Sequence, residues 1–264
     1  MVGQENNGRT EPGVAVSVLG VPVHAVSMDQ VMQTLYNTLE TEERLRIVTV
    51  NPEMVMWARN DECMARAICA ADLAVPDGNG VVWALRRSGY KEQSRIAGVD
   101  LVERIFAHTH ARTRARACAR KGLRVFLIGG RRGIPERAGE RIEERWPAVK
   151  IVGCRHGYFS VEEEEEIIDE INSSLPDILL VGMGVPRQEL WLANHWETMN
   201  AKLGVGIGGG LDLWAGKTKR APRFLQDCGL EWFYRACVEP RRFFRLLALP
   251  RFVLEVMREA RGGK

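Results

Sequence analysis

The 264-residue chain predicts an α/β fold, a mostly parallel sheet covered by helices and followed by a basic, helical C-terminal appendage. Short apolar runs alternate with helix-like stretches across brief links, the pattern of β–α–β units whose helices cover the sheet. Several of the runs end in Gly, Pro, Asn or Asp, so the carboxyl edge of the sheet is built from tight, polar loops. Charge is also divided unevenly: 12 Lys/Arg stand against 5 Asp/Glu from Lys217 onward, and 25 against 29 before it. The expected layout is a disordered leader over 1–13, an α/β body over 14–217 and an appendage over 218–264.

Within the body, Val14 to Val18 and Val21 to Val26 read as two short strands around Gly20. Ser27 with Gln30 forms a capping-box signature ahead of a helix from Met28 to Thr41. Arg46 to Val50 is a strand, and Asn51-Pro52 supplies an N-cap and a first helical residue for a helix to about Ala70. Leu73 to Val75 is a buried strand closed by Pro76, then Asp77-Gly78-Asn79-Gly80 leads into a helix to about Ser88. Asp77 is thus an acid at a strand's carboxyl end beside backbone free of side chains, where open α/β sheets bind ligands. A plain turn with a helix cap is the competing reading, as it is for Asn51.

Arg95 falls in the loop before a helix starting near Gly98, placed either to hold phosphate with its planar fork of donors or to make a surface ion pair. Leu123 to Ile128 is a strand followed by Gly129-Gly130-Arg131-Arg132-Gly133 and a helix to about Trp146. That spacing is GGxxG, and the next strand, Val149 to Val152, ends without an acid for a ribose, which disfavours a dinucleotide cofactor. Close approach of a nucleotide phosphate or sugar to Gly129 and Gly130 stays open. The run Glu162–Glu166 opens a helix, where acids suit the dipole. Asp177 to Val181 and Leu203 to Ile207 are the last two strands, leading to Gln188 at a helix start and to the glycine turn carrying Gly209 and Asp212.

Six cysteines without a CxxC pair argue for a reducing compartment and against zinc or a disulfide framework. No apolar leader marks secretion, and no apolar run of 18 residues spans a membrane. The six basic residues between Arg112 and Arg124 lack interleaved aromatics, so a solvated helix end is preferred to a nucleic-acid patch. In the tail, Arg alternates with aromatic and aliphatic residues through Glu231-Trp232-Phe233-Tyr234-Arg235 and Pro240 to Leu247. Such helices suit an anionic bilayer surface, with packing on the body or an oligomer contact as the competing readings.

Taken together, Thr49 to Glu53, Pro76 to Gly80, Arg95 to Gly98, His156 to Phe159, Gly182 to Gln188, Gly209 to Gly216 and Arg220-Ala221-Pro222 through Arg245 resemble the WecG/TagA/CpsF family of glycosyltransferases, in order, over about 16–245. The resemblance implies a Rossmann-like sheet with a membrane-associating C-terminal appendage, and transfer of a sugar from a UDP donor to an undecaprenyl-diphosphate-linked sugar. It places the protein peripherally on the inner, cytoplasmic face of the cell membrane. The chain looks most like the TagA branch, whose members transfer N-acetylmannosamine in making the teichoic-acid linkage unit.

By position, the resemblance implies Asp77 as general base. Thr49, Asn51, Arg95 and Gln188 would line the donor pocket, and Asp212 with Gly209 would lie against the nucleotide; Gly78 and Asn79 in the matching Pro76–Gly80 loop, and Gly129 and Gly130 from the loop reading above, join them as substrate-binding candidates. Arg235, Arg242 and Arg245 match the appendage arginines that close over the diphosphate. The Arg112–Arg124 run and the leader are not family features. The chain contains no DxD motif, so arginines would hold the departing UDP and neither metal nor cofactor is expected. A tail that orders only on lipid would complete the site there and limit hydrolysis of the donor. Three readings remain beside this one: another UDP-sugar donor (N-acetylmannosaminuronic acid, glucose or galactose), a non-catalytic nucleotide- or lipid-binding module, and a nucleic-acid binder. Self-association is left open.

Overall fold

A computed structural model describes residues 13–115, 122–222, 225, 234 and 248–262. Strands β1 (Ala15–Val18) and β2 (Val21–His24) form an antiparallel hairpin. Helix α1 (Met28–Glu40) begins at the Ser27/Gln30 capping box, with both reciprocal hydrogen bonds made. Then follow β3 (Leu45–Val50), α2 (Pro52–Ala58), α3 (Glu62–Cys69), β4 (Leu73–Pro76), α4 (Asn79–Arg87) and α5 (Gly98–Ala115). The second half adds β5 (Leu123–Gly129), α6 (Ile134–Arg145), β6 (Val149–Arg155), α7 (Glu164–Ser174), β7 (Ile178–Gly182), α8 (Arg187–His195), β8 (Leu203–Gly206), α9 (Gly210–Trp214) and, in the tail, α10 (Ala248–Gly262).

Six strands form one parallel sheet in the order β4-β3-β8-β7-β5-β6. Side chains alternate between its two faces. Ile47, Leu73, Val75, Val125, Leu127, Ile178, Leu180 and Val205 pack on one face with α1, α5, α6 and α9. On the other face Val48, Val50 and Ala74 meet α2, α3, α4 and the hairpin, while Phe126, Ile128, Leu179 and Val181 meet α7 and α8. Both faces are therefore dry, which is why the strands read as continuous apolar runs.

Three local expectations are corrected. The single helix from Pro52 to about Ala70 is two helices, because the Asp61 carboxylate accepts the Met64 N–H at 2.9 Å and caps a new start. Pro76 belongs to β4, opposite Val50, on the sheet's edge where a missing N–H costs no ladder bond. Strand β6 runs to Arg155 rather than Val152, held along β5 with an irregularity at Val125/Phe126. In the basic run, Arg112 to Ala115 lie in α5, residues 116–121 fall outside the described residues, and the Arg124 guanidinium donates to the carbonyls of Ser174 and Leu175 at the end of α7.

The leader's residues 1–12 and most of the tail lie outside the described residues, including Arg235, Arg242 and Arg245. Helix α10 packs on the body: Phe252 and Val256 are buried with residues of α2 and α4, and Arg59 pairs with Glu255 at 3.2 Å. Among the described residues no helix is long and apolar enough to cross a membrane.

Candidate active site

The connection after β3 leads to one edge of the sheet and the connection after β5 to the other, so the chain diverges around β8 and β7. A crevice opens at the carboxyl ends of strands at such a point. Here it is a cavity of about 710 Å³, walled by the loops after β3, β4, β7 and β8, the start of α5 and Leu249 of α10.

Most of the residues singled out in the sequence meet there: Thr49, Asn51, Asp77, Gly78, Asn79, Arg95, Gly130, Gln188, Gly209 and Asp212 all line the cavity. Asp77 is half-buried and donates its backbone N–H to Val50 at 2.8 Å, which ties the β4 loop to the end of β3. Asn51 is a helix cap that also lies on the cavity wall. Its side-chain oxygen accepts the Met54 N–H at 3.0 Å and caps α2, which holds the side chain in place at the cavity wall. Gly80 is a packing site: a Cβ there would stand 2.6 Å from Pro52 and 3.0 Å from Leu249, so its absence lets α10 close against the loop. Gly129 is not among the lining residues. It stands opposite Gly182 in the sheet, where a Cβ would come within 2.3 Å of the Gly182 carbonyl oxygen.

Charge in the cavity is organised by α5. Asp100, in its first turn, pairs with Arg95 at 3.9 Å and with Arg220, so two guanidiniums from distant segments share one carboxylate and both line the cavity. Asp212 pairs with Lys217 at 3.3 Å. Across the cavity Arg187 donates to the carbonyls of Gly157 and Phe159 and lies over the Phe159 ring, 4.7 Å from its centroid, fixing the loop that carries Tyr158. Among the described residues no group of three His, Cys, Asp or Glu is placed to hold a metal ion.

Sequence reasoning assigns no role to Arg187, Arg220, Tyr158 or Glu53, all of which line the cavity. It also passes over Glu189, which lies next to Gln188 and is buried. Burial, with a smaller push from Glu53, raises the Glu189 carboxyl to about 7 from 4.5, against the hydrogen bonds from Gln188 and the backbone. Between those values the unfolded chain has released this proton and the folded one has kept it. Stability therefore falls as pH rises through that window, by about 3 kcal/mol for this group. Glu189→Gln is expected to remove that slope. Urea denaturation at pH 5 and pH 7.5 would check it, and equal slopes in the two proteins would refute it.

A parallel sheet whose carboxyl edge joins a carboxylate, glycine loops and paired arginines defines an α/β protein with a polar cavity at its topological switch point, the place where such sheets hold small anionic ligands. The chain belongs to the glycosyl transferase WecG/TagA/CpsF family, whose model matches residues 16–264. Among its relatives, a Staphylococcus aureus (strain MRSA252) protein named N-acetylglucosaminyldiphosphoundecaprenol N-acetyl-beta-D-mannosaminyltransferase is 31% identical over 251 residues, 94% of each chain. A Bacillus spizizenii protein of the same name is 32% identical over 232 residues, 88% of this chain and 85% of its own.

Proposed function

We propose that this protein is an N-acetylmannosaminyltransferase, moving N-acetylmannosamine from UDP-N-acetylmannosamine to N-acetylglucosamine carried on undecaprenyl diphosphate, the linkage step of teichoic-acid synthesis. The observation that carries the reading is the near full-length match to relatives bearing that enzyme name. Asp77 takes the proton of the acceptor hydroxyl as the bond from the sugar to UDP breaks. Arg95 and Arg220, anchored together on Asp100, receive the charge that develops on the departing diphosphate. Thr49, Asn51, Gly78, Asn79 and Gln188 line the donor side, with Gly130, Gly209 and Asp212 toward the nucleotide.

The acceptor is a lipid, and the protein is assigned to the inner face of the membrane as a peripheral partner. The basic tail supports this, as do Trp57, Leu254 and Met257, large apolar side chains exposed on the paired helices α2 and α10. Arg235, Arg242 and Arg245 are assigned to the diphosphate at that surface.

The test is release of UDP by the purified chain given UDP-N-acetylmannosamine and a lipid-diphosphate-linked N-acetylglucosamine. Release that needs the acceptor and persists in EDTA is expected, since the charge on UDP falls to arginines. Turnover of only another UDP-sugar would keep the family and change the donor. A well-folded protein that turns over no UDP-sugar would end the transferase reading.

A further inference from the structure

The ends of β7 and β8 with the glycine-rich loops that follow them, together 182–184 and 206–209, form one wall of the cavity, which all of these residues except Gly206 line. Gly184 and Gly208 both have positive φ, +78° and +52°, a region glycine enters freely and from which it also strays freely. One side chain spans the two. The Gln188 carboxamide oxygen accepts the backbone N–H of Gly184 at 3.3 Å and that of Gly208 at 3.0 Å. Both lone pairs of that oxygen are thereby used, so only the amide nitrogen can reach a ligand. That nitrogen donates to Glu189 Oε1 at 2.6 Å.

Gly206 makes room for the arrangement, since a Cβ there would stand 2.5 Å from the Gln188 nitrogen and 3.3 Å from Glu189 Oε1. Glu189 is buried and does not line the cavity, and its second oxygen has no hydrogen-bond partner among the described residues. With a proton on that second oxygen or without it, Oε1 still accepts from Gln188.

We propose that Glu189 is a positioning residue which, through the side-chain amide of Gln188, locks the 182–184 and 206–209 loops into a single rigid wall of the nucleotide-sugar cavity. Glu189 fixes one end of the carboxamide, and the other end holds two backbone amides that are 24 positions apart in the chain. The lock is a statement about the protein alone; only its consequence for UDP rests on the function proposed above.

Amide hydrogen exchange on the full chain, read at Gly184 and Gly208, tests the lock without any substrate. In the unsubstituted protein the two amides should share one opening constant within about threefold, as groups released by one local opening do. Values more than about tenfold apart overturn the proposal. Glu189→Leu should speed exchange at both sites at least about tenfold, whereas Glu189→Gln, which keeps an acceptor oxygen, should stay near the original. Equal damage from both substitutions would show that an acceptor oxygen at this position does not carry the lock, and would sink the idea.

UDP affinity supplies the second arm. Glu189→Leu is expected to weaken it about tenfold in the original background and less than about twofold when Gln188→Ala is already present. Additive losses overturn a role acting through Gln188. An original protein that binds no UDP refutes the donor assignment and leaves the exchange data to decide the lock.

Discussion

Asp77→Asn is expected to lower kcat by about 10²–10⁴-fold while leaving the KM for the donor within about threefold. The substitution keeps the shape of the side chain and removes only its capacity to take a proton. The backbone N–H of residue 77 still bonds to Val50, and the glycines around it keep their packing against Pro52 and Leu249, so the fold has no reason to loosen. A thermal midpoint within a few degrees of the original would separate lost chemistry from lost structure. UDP release with saturating acceptor is the measurement. An Asn variant retaining a third or more of the original kcat would remove Asp77 from the role of base.

Arg220→Ala and Arg95→Ala should each lower kcat/KM about 10- to 100-fold, the range for losing a hydrogen bond to a charged group. The two effects should fall short of additivity in the double variant, because the two guanidiniums meet on Asp100 and each helps hold the other's anchor in place. Arg220→Lys should recover little. An ammonium is a point charge on a flexible stem and lacks the planar fork that can face a carboxylate and a diphosphate together. Steady-state kinetics with varied donor, together with UDP binding by calorimetry, would measure both effects. A loss below about threefold for Arg220→Ala would place the diphosphate elsewhere in the cavity.

Features decided within a few residues are legible in the amino-acid sequence. The Ser27–Gln30 box, the Asn51–Pro52 helix start and the apolar strand runs are made by neighbours along the chain, so composition and spacing reveal them. The resemblance to the family extends that reading to the residues of the cavity. The break between α2 and α3 escapes it although its signal, Asp61 three residues before Met64, is present. Asp61 marks a new helix start only through the hydrogen bond its carboxylate accepts from the Met64 N–H, which spacing alone does not reveal.

Other features have no local cause. Gly129 and Gly130 are adjacent and chemically identical, yet one is pressed against Gly182 and the other faces the cavity, a difference set by the register of β5 on β7. Arg220 reaches the carboxylate that Arg95 pairs with from more than a hundred positions away, and Glu189 is buried where α8 packs against the sheet beside Gly206. By itself, then, the sequence determined the helices, the strands, the α/β class and the loops that carry the chemistry, since hydrogen bonds and side-chain periodicity act over three or four residues. Only the tertiary structure decided which of those loops share a cavity, which arginines share an anchor and which carboxyl is buried, since these follow from strand order and from contacts between segments far apart in the chain.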